Sequence, residues 1–184
     1  YVGAAFAVLV LGAIITALPR MSDGARGETA ALSALLAYCF MIPPCLVALF
    51  GFDVTGGPYL TVPYLRAKLT LALDALSAVF VLLIGFVVLL ALISSVHYMS
   101  GHGARLAAYY PYALLFLGSM WGVVVTDDWF FFLVAWELMT LFSYLLIVFY
   151  RERAGVLRAG FKYFVMTHAA TLFIVGAVIG IWVT

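Results

Sequence analysis

The sequence predicts an all-α, polytopic transmembrane helical bundle of about six spans, on three observations. Of 184 residues, 67% are hydrophobic and 9% charged, with a mean hydropathy of +1.22. Soluble domains are roughly 45–50% apolar and about 25% charged. The apolar residues also gather into runs near the ~20 residues needed to cross a ~30 Å hydrocarbon core. Finally, nine basic residues nearly balance eight acidic ones, which gives no reason to expect a nucleic-acid partner. The lipid bilayer is the expected solvent.

The first run, Tyr1–Leu18, starts at once, without Met and without the basic residues that open a secretory leader. The last run reaches Thr184 while still apolar. Both ends are therefore expected to be cuts in a longer chain. A short polar hairpin, residues 19–29, leads to the second run, Ala30–Phe50, in which Pro43 and Pro44 remove two backbone donors. That pair is expected to kink or break the helix. Cys39 and Cys45 lie on different faces of it and read as packing residues.

Residues 52–68 form a connector rich in turn residues (Gly56, Gly57, Pro58, Pro63), with no sign of a folded extramembrane domain. The remaining spans are Leu69–Val96, Tyr109–Val125, Trp129–Tyr150 and Leu157–Val183. The chain thus divides into N-terminal helices and connector, 1–68, and spans three to six, 69–184. Arg20, Arg26, Arg105, Arg151, Arg153 and Arg158 fall on one side of the alternating loops, against Arg66 and Lys68 on the other. The richer side is expected to face inward.

An ionisable residue at the centre of a span costs about 2.5–3.5 kcal/mol on insertion scales, so it calls for a partner, a water cavity or a function. Glu137, in AWELMT, lies eight residues into the fifth span, ~12 Å from its outer end. A low dielectric disfavours the charged form of a carboxyl, and such a group is suited to taking up and releasing a proton. The alternative is a neutral carboxyl that only hydrogen-bonds between helices. Thr140 and Tyr144 follow on the same face, either as interhelical contacts or as part of a polar pathway.

Lys162 and His168 stand on the sixth span. Lys162 is close enough to the inner end to snorkel; His168 is deeper, roughly level with Glu137. Asp74 reads as either a helix start or an ion-pathway residue, and Asp127-Asp128 as the cap of span five. His97 and His102 sit at the interface, too far from His168 in depth for two-histidine haem ligation. No spacing in the sequence indicates a metal cluster, a nucleotide loop or a hydrolytic triad.

The wording FFFLVAWELMTLFSYLL, an Arg-rich turn and then AGFKYFVMTHAATLF resembles the proton-translocating antiporter-like membrane subunits. These occur in respiratory complex I, multisubunit cation/proton antiporters and membrane-bound hydrogenases. WELMTL, SYLL and MTH are most similar to the hydrogenase-4 component B and formate hydrogenlyase branch, and the likeness runs from about Leu69 to the end. It implies a larger antiporter-like fold with inverted repeats, of which residues 69–184 hold the start of the first. It also implies that Glu137 is the buried glutamate of the fifth helix, that Lys162 matches a recurrent lysine of the sixth, and that the usual lysine partner stands one helix further on. Phe142 replaces a proline common in hydrogenase-type relatives. His168, Ala169, Ala170 and Thr171 stand where relatives of the largest complex I antiporter-like subunit read Arg-x-Gly-Asp.

The resulting expectation is a proton-translocating subunit without redox centre, cofactor or metal, coupled to electron transfer in other membrane and peripheral subunits of a hydrogenase or complex I-like assembly. Glu137 is its relay, with Lys162, His168, Thr140 and Tyr144 as neighbours. The alternatives are a cation/proton antiporter subunit without a redox partner, and a structural membrane scaffold.

Overall fold

Six helices and one β-hairpin make up the computed structural model, which describes residues 1–19, 21–65, 67–99 and 105–183. In chain order these are α1 (Val2–Thr16), α2 (Asp23–Leu49), β1 (Val54–Val62), β2 (Ala67–Leu73), α3 (Ala75–Tyr98), α4 (Leu106–Val125), α5 (Trp129–Ile147) and α6 (Val156–Val183). Arg20 and Arg66, used to orient the chain, and the interfacial His102 lie outside the described residues.

Five of the helices, α2 to α6, are long and apolar enough to cross a membrane. The protein is a multi-pass membrane protein. At 15 residues and ~1.5 Å per residue, α1 covers only about 22 Å. It is the short member of the bundle, three residues shorter than the run read from sequence. Helix α3 shows how the bilayer replaces water as solvent. Leu76, Val79, Phe80, Leu83, Phe86, Val87, Leu90 and Ile93 line one exposed stripe, while Ala78, Val81, Gly85, Leu89 and Leu92 are buried on the other.

Helices α1 to α4 enclose the core, around the fully buried Trp121, Met41, Leu114 and Leu117. Small residues let the backbones approach, as expected where lipid tails compete with apolar side chains. A Cβ at Gly85 would collide with the rings of Tyr38 and Trp121. Those two side chains in turn donate to carbonyls of α3: Trp121 Nε1–H to Val81 at 3.1 Å and Tyr38 O–H to Leu82 at 3.2 Å. Helix α5 packs on α4, and α6 has α5 as its principal neighbour.

Three local features correct the sequence expectations. Helix α2 passes through Pro43 and Pro44 unbroken and ends at Leu49. The connector is ordered: β1 and β2 pair antiparallel, with Val54 opposite Leu73 and Val62 opposite Ala67. Residues 69–73 are therefore strand and not the beginning of the third span, and α3 starts at Ala75. The hairpin is tied to the start of α5 by the Leu71–Thr126 bridge and by the Lys68 amide, which donates to Asp128 Oδ2 at 3.2 Å. Lastly, Arg26 is only 3% exposed. Its guanidinium donates to the carbonyls of Thr16, Leu18 and Met21 at 2.9, 2.8 and 3.2 Å, tying down the last residue of α1 and the turn that follows it.

Candidate functional site

Helices α5 and α6 face each other along a line of polar residues in otherwise apolar spans. The start of α5 is set by Asp128, whose carboxylate accepts from the amides of Phe130 and Phe131 at 2.9 and 3.2 Å. That is the capping role expected of the Asp127-Asp128 pair. Nine residues after Asp128, Glu137 projects toward α6, where its Oε2 lies 3.2 Å from Nε2 of His168. Both side chains are about two-fifths exposed, at 38% and 40%.

The opposite edge of the imidazole defines what this contact means chemically. Nδ1 of His168 lies 2.9 Å from the backbone carbonyl of Phe164, one turn earlier. A carbonyl oxygen only accepts, so the hydrogen belongs on Nδ1, and Nε2 carries the lone pair in the neutral ring. A carboxylate and a lone pair repel at 3.2 Å. Nε2 and the carboxyl oxygen are therefore placed so that one proton can be shared between them, and a pair holding that proton is neutral overall on whichever side it sits. The ring of Phe164 supports the arrangement, its centroid 3.9 Å from that of His168.

Thr140 is buried, and its hydroxyl donates to the Glu137 backbone carbonyl at 2.9 Å rather than to the carboxyl. Tyr144 lies against the other side of Phe164, with ring centroids 5.4 Å apart. Lys162 is exposed, six residues before His168 and ~120° around the helix from it. Among the described residues no hydrogen bond or ion pair joins it to Glu137. Asp74 caps α3, accepting from the Ser77 amide at 2.7 Å, the helix-start alternative of its two readings. That amide bond holds its carboxyl below the ordinary carboxylate range.

Sequence reading missed two further polar rungs between the helices. Trp136 Nε1–H donates to the Thr171 hydroxyl at 3.2 Å, and Ser143 and Tyr163 share a hydroxyl–hydroxyl bond. Each joins residues 20 or more positions apart. Only the spacing of the polar residues on each helix, Trp136 to Ser143 two turns apart on α5 and Tyr163 to Thr171 two turns apart on α6, could have pointed to them.

Comparison with known proteins finds relatives of this chain. Residues 126–184 match the family described as NADH:quinone oxidoreductase/Mrp antiporter, TM, and residues 59–110 match the N-terminus of chain 5 of NADH-ubiquinone oxidoreductase (complex I). The Na(+)/H(+) antiporter subunit A1 of Staphylococcus aureus strain JH9, and equally that of strain Newman, is 35% identical over 117 residues. That alignment covers 64% of this chain but 14% of the relative. The solved membrane-bound sulfane sulfur reductase, an archaeal respiratory membrane complex, contains a chain similar over 96% of this one, with 27% identity and a TM-score of 0.77. The likeness therefore extends through α1 and α2, and this chain spans 26% of that relative. The chain belongs to the antiporter-like membrane subunits shared by complex I-type oxidoreductases and multisubunit cation/proton antiporters.

Proposed function

We propose that this chain forms part of a proton-translocating, non-redox membrane subunit in which Glu137 is the proton carrier and His168 the group with which it exchanges the proton. The observation that carries the proposal is the 3.2 Å contact between Glu137 Oε2 and His168 Nε2. Moving the proton from Oε2 to Nε2 converts a neutral pair into an ion pair with no change in net charge. Such a step avoids leaving a bare charge among apolar helices, where it is most costly. The Nδ1–H bond to Phe164 keeps the accepting nitrogen turned toward the carboxyl throughout. Thr140 and Tyr144 follow Glu137 on the same helix, and Lys162 offers a positive charge nearer the start of α6.

The parent assembly in this reading is redox-driven, of the membrane-bound hydrogenase or formate hydrogenlyase type, with other membrane and peripheral subunits carrying the electrons. The WELMTL, SYLL and MTH wording supports that branch, as does the similarity to a chain of an archaeal respiratory membrane complex. A second reading, a cation/proton antiporter subunit without a redox partner, is favoured by the 35% identity to a Na(+)/H(+) antiporter subunit. The two are separated by the driving force. In vesicles containing the full-length protein in its assembly, the first reading expects proton movement on addition of an electron donor and the second on imposing a sodium gradient. Under either, Glu137→Gln is expected to abolish the movement; full movement in that variant overturns the role given to Glu137.

A further inference from the structure

Away from Glu137, the end of the bundle that carries the start of α4 and the α5–α6 turn holds a cavity of about 330 Å3. One part of its lining is charged: Arg105, Arg151 and Glu152. The rest is apolar or aromatic, including Tyr112, Leu145 and Phe149. An opening with one charged and one apolar half fits an amphipathic molecule.

The charged half is organised around a single carboxylate. Arg105 grips Glu152 with both terminal nitrogens, at 2.9 Å each, and Arg151 Nε lies 3.9 Å from the same group. Two guanidinium groups thus converge on one carboxylate, and one positive charge is left over. Guanidinium is the side chain best matched to phosphate oxygens.

The depth of this end in the membrane is marked independently. Tyr109, Phe149 and Tyr150 pack edge to face there, with centroid separations of 5.4 and 5.0 Å, and Arg153 lies 4.5 Å over the Tyr150 ring. Clustered tyrosines with arginines are the side chains enriched where hydrocarbon gives way to headgroups. The cavity therefore combines surplus positive charge at headgroup level with an apolar wall reaching inward.

We propose that this cavity binds an anionic phospholipid, its phosphate held by Arg151 and Arg105 and one acyl chain laid against Tyr112, Leu145 and Phe149. Glu152 holds the two arginines side by side and so sets the spacing of the phosphate site. The site is independent of proton transfer at Glu137.

The test is native mass spectrometry of the purified full-length protein in its assembly, titrated with phosphatidylglycerol or with phosphatidylcholine. The first phosphatidylglycerol is expected to bind more tightly than phosphatidylcholine. Arg151→Gln is expected to weaken it about fivefold, the effect of one basic residue near an anionic surface. Leu145→Trp, which fills the apolar half and leaves the charges in place, is expected to weaken it as well, whereas Lys68→Gln at the opposite end has no effect. Equal binding of the two lipids, or unchanged phosphatidylglycerol binding in Arg151→Gln, overturns the proposal. So does a loss in Arg151→Gln without one in Leu145→Trp, since that pattern fits an acidic protein segment or a free anion and not an acyl chain.

Discussion

The imidazole of His168 bridges two helices, its Nδ1 bonded to the Phe164 carbonyl of α6 and its Nε2 in contact with Glu137 of α5. The first bond selects the tautomer, and the second sets Nε2 where the proposed relay needs it. From this, His168→Gln is expected to lower proton flux through the full assembly by at least about tenfold, equivalent to ~1.4 kcal/mol at the barrier. Glutamine fills the space and accepts a hydrogen bond but takes up no proton. Flux measured in vesicles for the parent and His168→Gln proteins checks this; flux at the parent level in His168→Gln would separate the roles of the two residues.

Arg26 closes the end of α1 from inside the bundle, with three carbonyls depending on it. Arg26→Ala is expected to destabilise the protein by roughly 2–4 kcal/mol, since three charge-assisted hydrogen bonds to carbonyls are lost from a buried site. A large fall in melting temperature in detergent is the readout. Arg26→Lys, a point charge without the planar fork, is expected to recover only part of it.

Gly85 lies where α3 meets the rings of Tyr38 and Trp121, both of which also bond to α3 carbonyls. Gly85→Ala is expected to cost about 1–3 kcal/mol through overpacking. The loss appears as lower thermal stability, together with a change in Trp fluorescence if Trp121 is displaced. Gly176, where an added Cβ meets nothing within 4 Å, marks how site-specific the effect is: Gly176→Ala is expected to be nearly neutral.

Asp74 caps α3, and Asp74→Ala is expected to cost about 1 kcal/mol. The Ser77 amide holds its carboxyl below the ordinary carboxylate range in the folded protein. A folded value lower than the unfolded one means that the stabilisation is complete above the ordinary range and fades as the pH falls through the lowered value. Melting temperatures of the parent and Asp74→Asn proteins are thus expected to converge on acidification.

Much of this architecture was legible in the sequence because apolar length is nearly sufficient evidence for a membrane helix. The starts of α3 and α5 were marked by Asp74 and Asp128, whose carboxylates find amides two or three residues on. The hairpin was missed because Leu69 to Leu73 merges with the apolar run of α3 when only hydropathy is counted. Its alternation, with Leu71 and Leu73 buried and Lys68 and Thr70 more exposed, was the available signal of a strand.

Depth along a helix was legible as well, azimuth between helices was not. Glu137 and His168 could be placed at similar levels by counting 1.5 Å steps, but no count brings Nε2 to the carboxylate. Arg26 shows the same limit. In sequence it was one more loop arginine, and in the fold it is a buried cap whose partners are backbone carbonyls that no side-chain spacing reveals.

The role of Glu137 is tested most directly by the proton flux of the full-length assembly, reconstituted in vesicles, in parent and Glu137→Gln forms with subunit content and stability verified as equal. The amide matches the carboxyl in size and hydrogen bonds but neither accepts nor releases a proton. Flux is expected to fall to background in Glu137→Gln and to return in part with Glu137→Asp. Flux at the parent level in Glu137→Gln would contradict the assignment of Glu137 as the proton carrier.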